Sequence, residues 1–526
     1  MKFRYIISLA AMLSASVAAS SQDFQTGYFL GGYDYAFRMN PALQNERGTF
    51  AAALGNIGLG VNSNQLGIST LLYPVDGAVV TAFNNKVPAS TFLGKLSRHG
   101  NNLGAGAGLD ILTVGFWKGS DYYTIDIRAR ADAKVSVPYA LFDFLKNGTT
   151  ENTTFDISGL GADLSGIVEA AVGWSRNFDD RFNIGARAKF LYGVASARMT
   201  MDRLNVTLAE DRWAFQGQGS MEASSPALSV RTDDEGNISF DDLSLAGEGL
   251  KKPGGMGLAF DLGASWNIFP WLTASASLLD IGGLRWNREI YGVTPESGYT
   301  WDPESREPID ITDDNSQVLD DEFDKIQREL EGMLRFRKQD SPGGVFSMLP
   351  LRAYAGVEAR LPSYPRLTMG LLGSFTHRQK YTWAEGRVSI NWNALNWLSF
   401  SGSTAFSHLG EAFGLAFSLH PGGVHLFMGT DFLPTKIVPL ESLGMDKRDM
   451  DDLGIPESMR KHLGVPTGHL NANLYFGISL ALGRRHLTHL RTKWTAEPEE
   501  PVLEAPEEPV LEVAEEPVSE DIQETL

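Results

Sequence analysis

From residue 103 to residue 482 the sequence is dominated by segments in which apolar and polar residues alternate one by one. The segments come in pairs joined by short turns. A period of two sends successive side chains to opposite faces of a sheet. The pair 257–286 shows it most clearly. Leu272, Ala274, Ala276 and Leu278 are apolar, and Thr273, Ser275 and Ser277 between them are small and polar. Asn267-Ile268-Phe269-Pro270 reads as the turn, with Trp271 opening the return strand. Proline cannot donate to a central ladder, so it suits a strand end. Aromatic residues at the tip and small polar residues along one face point to a hairpin that crosses a membrane.

The same unit recurs along the chain. Paired strands are expected at 103–117 with 122–135, 166–178 with 182–194, 350–361 with 367–376, 385–392 with 397–408, and 413–420 with 424–432, before a last strand at 470–482. Turns near 119, 179, 268, 364, 395 and 421 are short, and the connections between pairs are longer. Short turns alternating with longer loops are the pattern of an outer-membrane barrel, with the turns on the periplasmic side. Thirteen strands follow residue 103, and one at 50–60 makes fourteen. Adding 66–72 and 78–83 makes sixteen. Both are even, as single-chain bacterial barrels require. The expected fold is therefore an all-β, up-and-down antiparallel transmembrane barrel of about fourteen strands. Arg128, Arg130, Arg187, Lys189 and Arg387 sit mid-strand, opposite an apolar face. In a soluble sandwich they would face water, and in a barrel they would face a polar lumen.

The chain start fits export. Lys2 and Arg4 precede an apolar run from Tyr5 to Leu13, and Val17-Ala18-Ala19 supplies small residues before a cleavage site. We read residues 1–21 as a signal peptide. There is no cysteine, which removes disulfides, thiolate metal sites and cysteine nucleophiles. Beyond the start no run of about 20 apolar residues offers a helical span. The net charge of −19 arises largely at the end of the chain, where 497–524 holds twelve acidic and no basic residues. An acidic balance without a basic stripe gives nucleic-acid binding no support.

Two segments stand apart from the strands. Leu319, Phe323, Ile326, Leu330 and Met333 recur at helical spacing within an acidic connection, 287–349. This helix caps the barrel mouth, or acts as a gate through Phe323, Ile326, Leu330 and Met333. Residues 484–526 begin with a basic segment that would lie near lipid headgroups. They continue as three near copies of Glu-Glu-Pro-Val with added glutamates. That composition reads as a disordered periplasmic tail, either a spacer or a solubilising tail.

Residues 22–48 mix glycine and aromatics without a period and end near Asn40-Pro41-Ala42. An Asn-Pro-Ala segment after a Gly/aromatic stretch resembles the start of FadL-type and PorV-type outer-membrane barrels. The stretch FDLGASWNIFPWLTASASLLDIGGLRW, ending at Trp286, resembles an uncharacterised family related in plan to both. The resemblance covers roughly 23–483 and implies that 22–48, with Asn40, Pro41 and Ala42, enters the barrel 49–483 as a hatch. It implies an outer-membrane location in a Gram-negative bacterium and no catalytic residue. Two functions follow from the relatives. One is passive transport of small molecules, hydrophobic ones included. The other is a non-enzymatic scaffold in a surface or secretion complex, with a periplasmic or surface protein as partner. Asp280-Ile281-Gly282-Gly283 suits a bulge or kink.

No other chemistry is called for. Gly104 to Gly108 has GxGxG spacing without a strand–turn–helix context. The nine histidines form no HExxH motif. Ser407 and His408 are neighbours in one strand and so point apart. Asp233 to Asn237 and Asp310 to Asp314 lack EF-hand spacing. The sequence asks for neither cofactor nor metal.

Overall fold

The computed structural model describes residues 23–483 except 54, 76–77, 148–152, 180, 209–212, 227, 235, 246–251, 295–296, 302–335, 379–380, 408–409, 434–436, 440–463 and 467–470. Fourteen antiparallel strands close into a barrel. The first, β1, is in two halves, Gly48–Ala52 and Ile57–Ser63. Then follow β2 Asn101–Lys118, β3 Asp121–Val137, β4 Gly161–Phe178 and β5 Phe182–Leu208. The key hairpin is β6 Gly255–Phe269 and β7 Leu272–Trp286. The wall continues as β8 Leu351–Arg360, β9 Leu367–Arg378, β10 Tyr381–Leu395 and β11 Leu398–Ser407. It ends with β12 Gly410–Leu419, β13 Val424–Thr430 and β14 Ala472–Leu482. β14 closes the ring on β1 through Gly48↔Leu482 and Ile57↔Phe476.

Closure removes the unpaired edges that an open sheet would leave. It also sorts side chains by parity. In β3, Thr124, Asp126, Arg128 and Arg130 are buried, whereas Ile125 between them is 44% exposed. In β6, Leu258 and Phe260 are exposed while Ala259 and Asp261 are fully buried. The outward face is thus an apolar belt and the inward face is polar, as a barrel in lipid requires. Aromatics crowd the short-turn end, where Phe269 and Trp271 stack at 5.6 Å and Trp266, Trp392 and Trp397 are exposed.

Three details differ from the sequence reading. Residues 72–75 and 78–81 pair only with each other, outside the barrel, so the sixteen-strand count falls. These four-residue strands are too short to span a membrane, and Tyr73, Val75 and Val80 pack with the helices Ala89–Leu93 and Tyr139–Asn147 around Phe92 and Phe142. The β6–β7 turn is Pro270-Trp271 rather than 267–270, because the pairing persists to Phe269↔Leu272. β1 is broken after Ala52, where Ala53 takes φ 63° and its N–H donates to Ile111 O at 2.8 Å. The proposed gate helix, with Phe323, Ile326, Leu330 and Met333, lies outside the described residues, as does 484–526.

At the end opposite the short turns, β5 runs on past the wall. It carries an outer sheet with Trp213–Ser224, Ile290–Val293 and Ser297–Trp301. Met201, Met221, Ile238, Ile290 and Phe336 form its own small core.

Candidate functional site: the hatch and the lumen wall

Residues 23–43 lie inside the barrel. Two short 3-10 turns, Gln25–Gly27 and Ala36–Arg38, fold the segment on itself. Its aromatic side chains are buried against the wall. Phe24 stacks on Tyr475 at 4.9 Å, and Tyr33 meets Phe427 edge-on at 4.8 Å.

The wall receives this segment through glycines. A Cβ on Gly429 would collide with Phe24, on Gly414 with Thr26, and on Gly356 or Gly370 with Phe29. Gly263 lies under Asn40 and Gly185 under Pro41. These six glycines, on β5, β6, β8, β9, β12 and β13, are sockets that only a missing side chain can provide.

Asn40-Pro41-Ala42 is a corner of the segment. Asn40 Oδ1 accepts from Ala42 N at 3.0 Å, an Asx turn. Asn40 Nδ2 lies within hydrogen-bonding reach of Ala264 O at 3.1 Å and Ala276 O at 3.3 Å, on β6 and β7. At the other end, the Asp431 carboxylate accepts from Gln25 N at 3.1 Å and Thr26 N at 2.6 Å. Asp34 accepts from His425 Nδ1 at 2.9 Å and Ser479 Oγ at 2.6 Å.

The mid-strand cations take part in a closed ring of alternating charge. Asp23 pairs with Arg352, which pairs with Asp280 at 2.7 Å. Lys189 bridges Asp280 at 2.6 Å and Asp261 at 2.7 Å. Arg187 bridges Asp261 at 3.0 Å and Asp126 at 2.7 Å. Arg38 bridges Asp126 at 3.0 Å and Asp110 at 3.1 Å. Arg128 closes the circuit between Asp110 at 3.5 Å and Asp23 at 3.8 Å. Arg130 hangs from it, joining Asp280 to Glu169 at 2.9 Å. Every side chain in the ring is buried. The hatch supplies one anion, Asp23, and one cation, Arg38.

Arg387 lies apart from the ring. It is 1% exposed and donates to Glu385 Oε1 at 2.7 Å, Ser403 Oγ at 2.8 Å and Thr26 Oγ1 at 3.2 Å. It therefore ties the hatch to β10 and β11.

Asp280 reaches the ring through a wall irregularity. The β6–β7 register shifts between Phe260 and Leu262, so Asp261 faces two residues, Leu279 and Asp280. Asp280 takes φ 60° and its N–H donates to Asp261 Oδ1 at 2.8 Å. The bulge turns Asp280 inward toward three cations.

The sequence reading names Arg128, Arg130, Arg187 and Lys189, but not the cations Arg352 and Arg38 nor the carboxylates as partners. Asp126 and Asp261 share the parity of the buried positions, so strand alternation was a signal for them. Asp23 and Arg38 lie in an aperiodic segment and gave none. Asn237 N donates to Asp233 Oδ1 at 2.7 Å.

A gap of about 10 Å³ lies between Phe37, Pro41, Tyr122 and Arg187. It has room for one water at most.

Residues 41–431 match the model of a family of unknown function, DUF5723. No curated protein matches the sequence. Among solved structures, the Ralstonia pickettii toluene transporter TbuX is similar at TM-score 0.41 and 9% identity, covering 85% of this chain and 93% of that one. A Pseudomonas aeruginosa FadL homologue is similar at 0.38 and 11%, covering 89% and 100%. The translocator domain of the autotransporter NalP from Neisseria meningitidis is similar at 0.31 and 7%, covering 90% and 98%.

Proposed function

The chain belongs to that family, DUF5723, and from this premise we propose that it is a barrel of a Gram-negative outer membrane. It passes small molecules passively when its hatch, residues 23–42, shifts. The observation that carries this reading is the charge balance of the wall alone. Without the hatch, Arg128, Arg187, Lys189 and Arg352 still face Asp110, Asp126, Asp261 and Asp280. A wall that is polar and neutral by itself tolerates water when the hatch leaves. The lining also suits polar or amphiphilic solutes better than hydrocarbons, because an apolar solute would desolvate it without compensation.

The test is single-channel conductance of the refolded protein in a planar bilayer, beside a deletion of 23–42. Silence from the full chain and steady current from the deletion is the expected result. Silence from both, in barrels shown to have inserted, overturns transport. The glycine sockets favour a second reading, a non-conducting scaffold whose hatch is a permanent core. On that reading deleting 497–526 or 300–340 releases a co-purifying protein partner.

A further inference from the structure

We infer that the periplasmic rim carries a binding site for an anionic glycerophospholipid. It lies between the β10–β11 and β12–β13 turns, and it rests on the membrane-spanning reading above.

An open hollow of about 410 Å³ is lined by Trp397, Leu419, Pro421, Gly422 and Leu426. Its direction follows from strand parity. Ser418 is buried and donates to Gly32 O of the hatch at 3.1 Å, and Phe427 packs on Phe24 and Tyr33. Leu419 and Leu426 are the next residues along, so they face away from the lumen. They pair across β12 and β13 as Leu419↔Leu426, which makes one apolar floor. Trp397 stands at its edge, 45% exposed. An apolar hollow on the outer face of a barrel suits an acyl chain, and indole suits the headgroup level.

The rim supplies the complementary charge. Arg47 Nη1 donates to Gly422 O at 3.2 Å, so its guanidinium rests against a residue that lines the hollow. From the other side, Arg366 donates to Ala394 O at 3.3 Å and Asn396 Oδ1 at 3.2 Å, next to Trp397. Each guanidinium spends only part of its five donors on the rim. Both are thus fixed in position with N–H groups to spare, and a planar fork with spare donors matches phosphate oxygens. One arginine is thus anchored at each of the two turns that bound the hollow, Arg366 on β10–β11 and Arg47 on β12–β13.

The experiment reads Trp397 by fluorescence. The full chain and its Trp397→Phe variant are refolded into phosphatidylcholine vesicles carrying a small mole fraction of chain-brominated lipid. That lipid is phosphatidylglycerol in one set and phosphatidylcholine in the other. The difference between the two proteins isolates quenching at Trp397. We expect brominated phosphatidylglycerol to be enriched about thirtyfold over its mole fraction, the scale set by two basic side chains beside one anionic headgroup. Arg47→Gln with Arg366→Gln should bring it back to the mole fraction. Equal quenching by both lipids, from a barrel that floats with the vesicles, overturns the site and leaves the barrel reading intact. A chain that does not float with vesicles overturns both.

Discussion

Asp23 and Arg38 are the two hatch residues of the charge ring, and each holds two wall partners. Removing one side of a buried pair leaves an uncompensated charge, at a cost of about 3–5 kcal/mol. Arg38→Ala leaves Asp110 only Arg128 and Asp126 only Arg187, one anion in excess around the ring, so the hatch should unseat while the wall stays closed. A single cysteine introduced at Thr26 reads this directly, because the native chain has no cysteine to compete for a thiol label. Fast labelling in the Arg38→Ala background and slow labelling in its parent is the expected result. Asp23 sets the acid limit of the same latch. Burial pushes its carboxyl up, but Arg352 and Arg128 beside it hold it below its ordinary 3.8. A depressed folded value contributes stability that is complete above the unfolded value and lost as pH falls through the folded one. The hatch should therefore stay seated down to about pH 4 and loosen only in stronger acid. Labelling that accelerates already between about pH 5 and 6 would contradict this.

Among elements, the strands were the most legible part of the sequence. Their period of two is imposed by lipid on one side and a polar lumen on the other, so it persists through nearly every wall segment. Arg128 and Lys189 could be placed from that alternation alone. The hatch was harder, because its course is set by contacts that no local pattern records. Phe29 occupies its place because Gly356 and Gly370, far along the chain, leave room for a ring. The hairpin 72–75 with 78–81 is as apolar and β-branched as a wall strand and lies outside the wall, since composition does not reveal a partner. The bulge at Asp280 was signalled by its glycines, although its three cationic partners were not. Asp280→Asn preserves a residue that tolerates positive φ and removes the charge. It should lower the thermal midpoint of the barrel, whereas Asp280→Gly should lower it no less despite relaxing the backbone. A midpoint unchanged in both variants would show that the ring contributes nothing to stability.

For the whole molecule, hatch and wall fit one another on both counts, charge and shape. Gly370→Val fills a socket without touching the ring, so it separates the two contributions. We expect it to expel Phe29 and to raise labelling at Thr26 while leaving every ion pair of the wall in place. The sockets on β5, β6, β8, β9, β12 and β13 span most of the circumference, and 23–41 reaches them all. A segment that touches opposite walls at once is a gauge of the bore. Two more strands would widen the ring, lift the wall glycines off Phe24 and Pro41, and pull Arg128 away from Asp23. The first stretch of the barrel's own chain is in this sense a mandrel, and a wall of fourteen strands is the circumference that closes snugly around it.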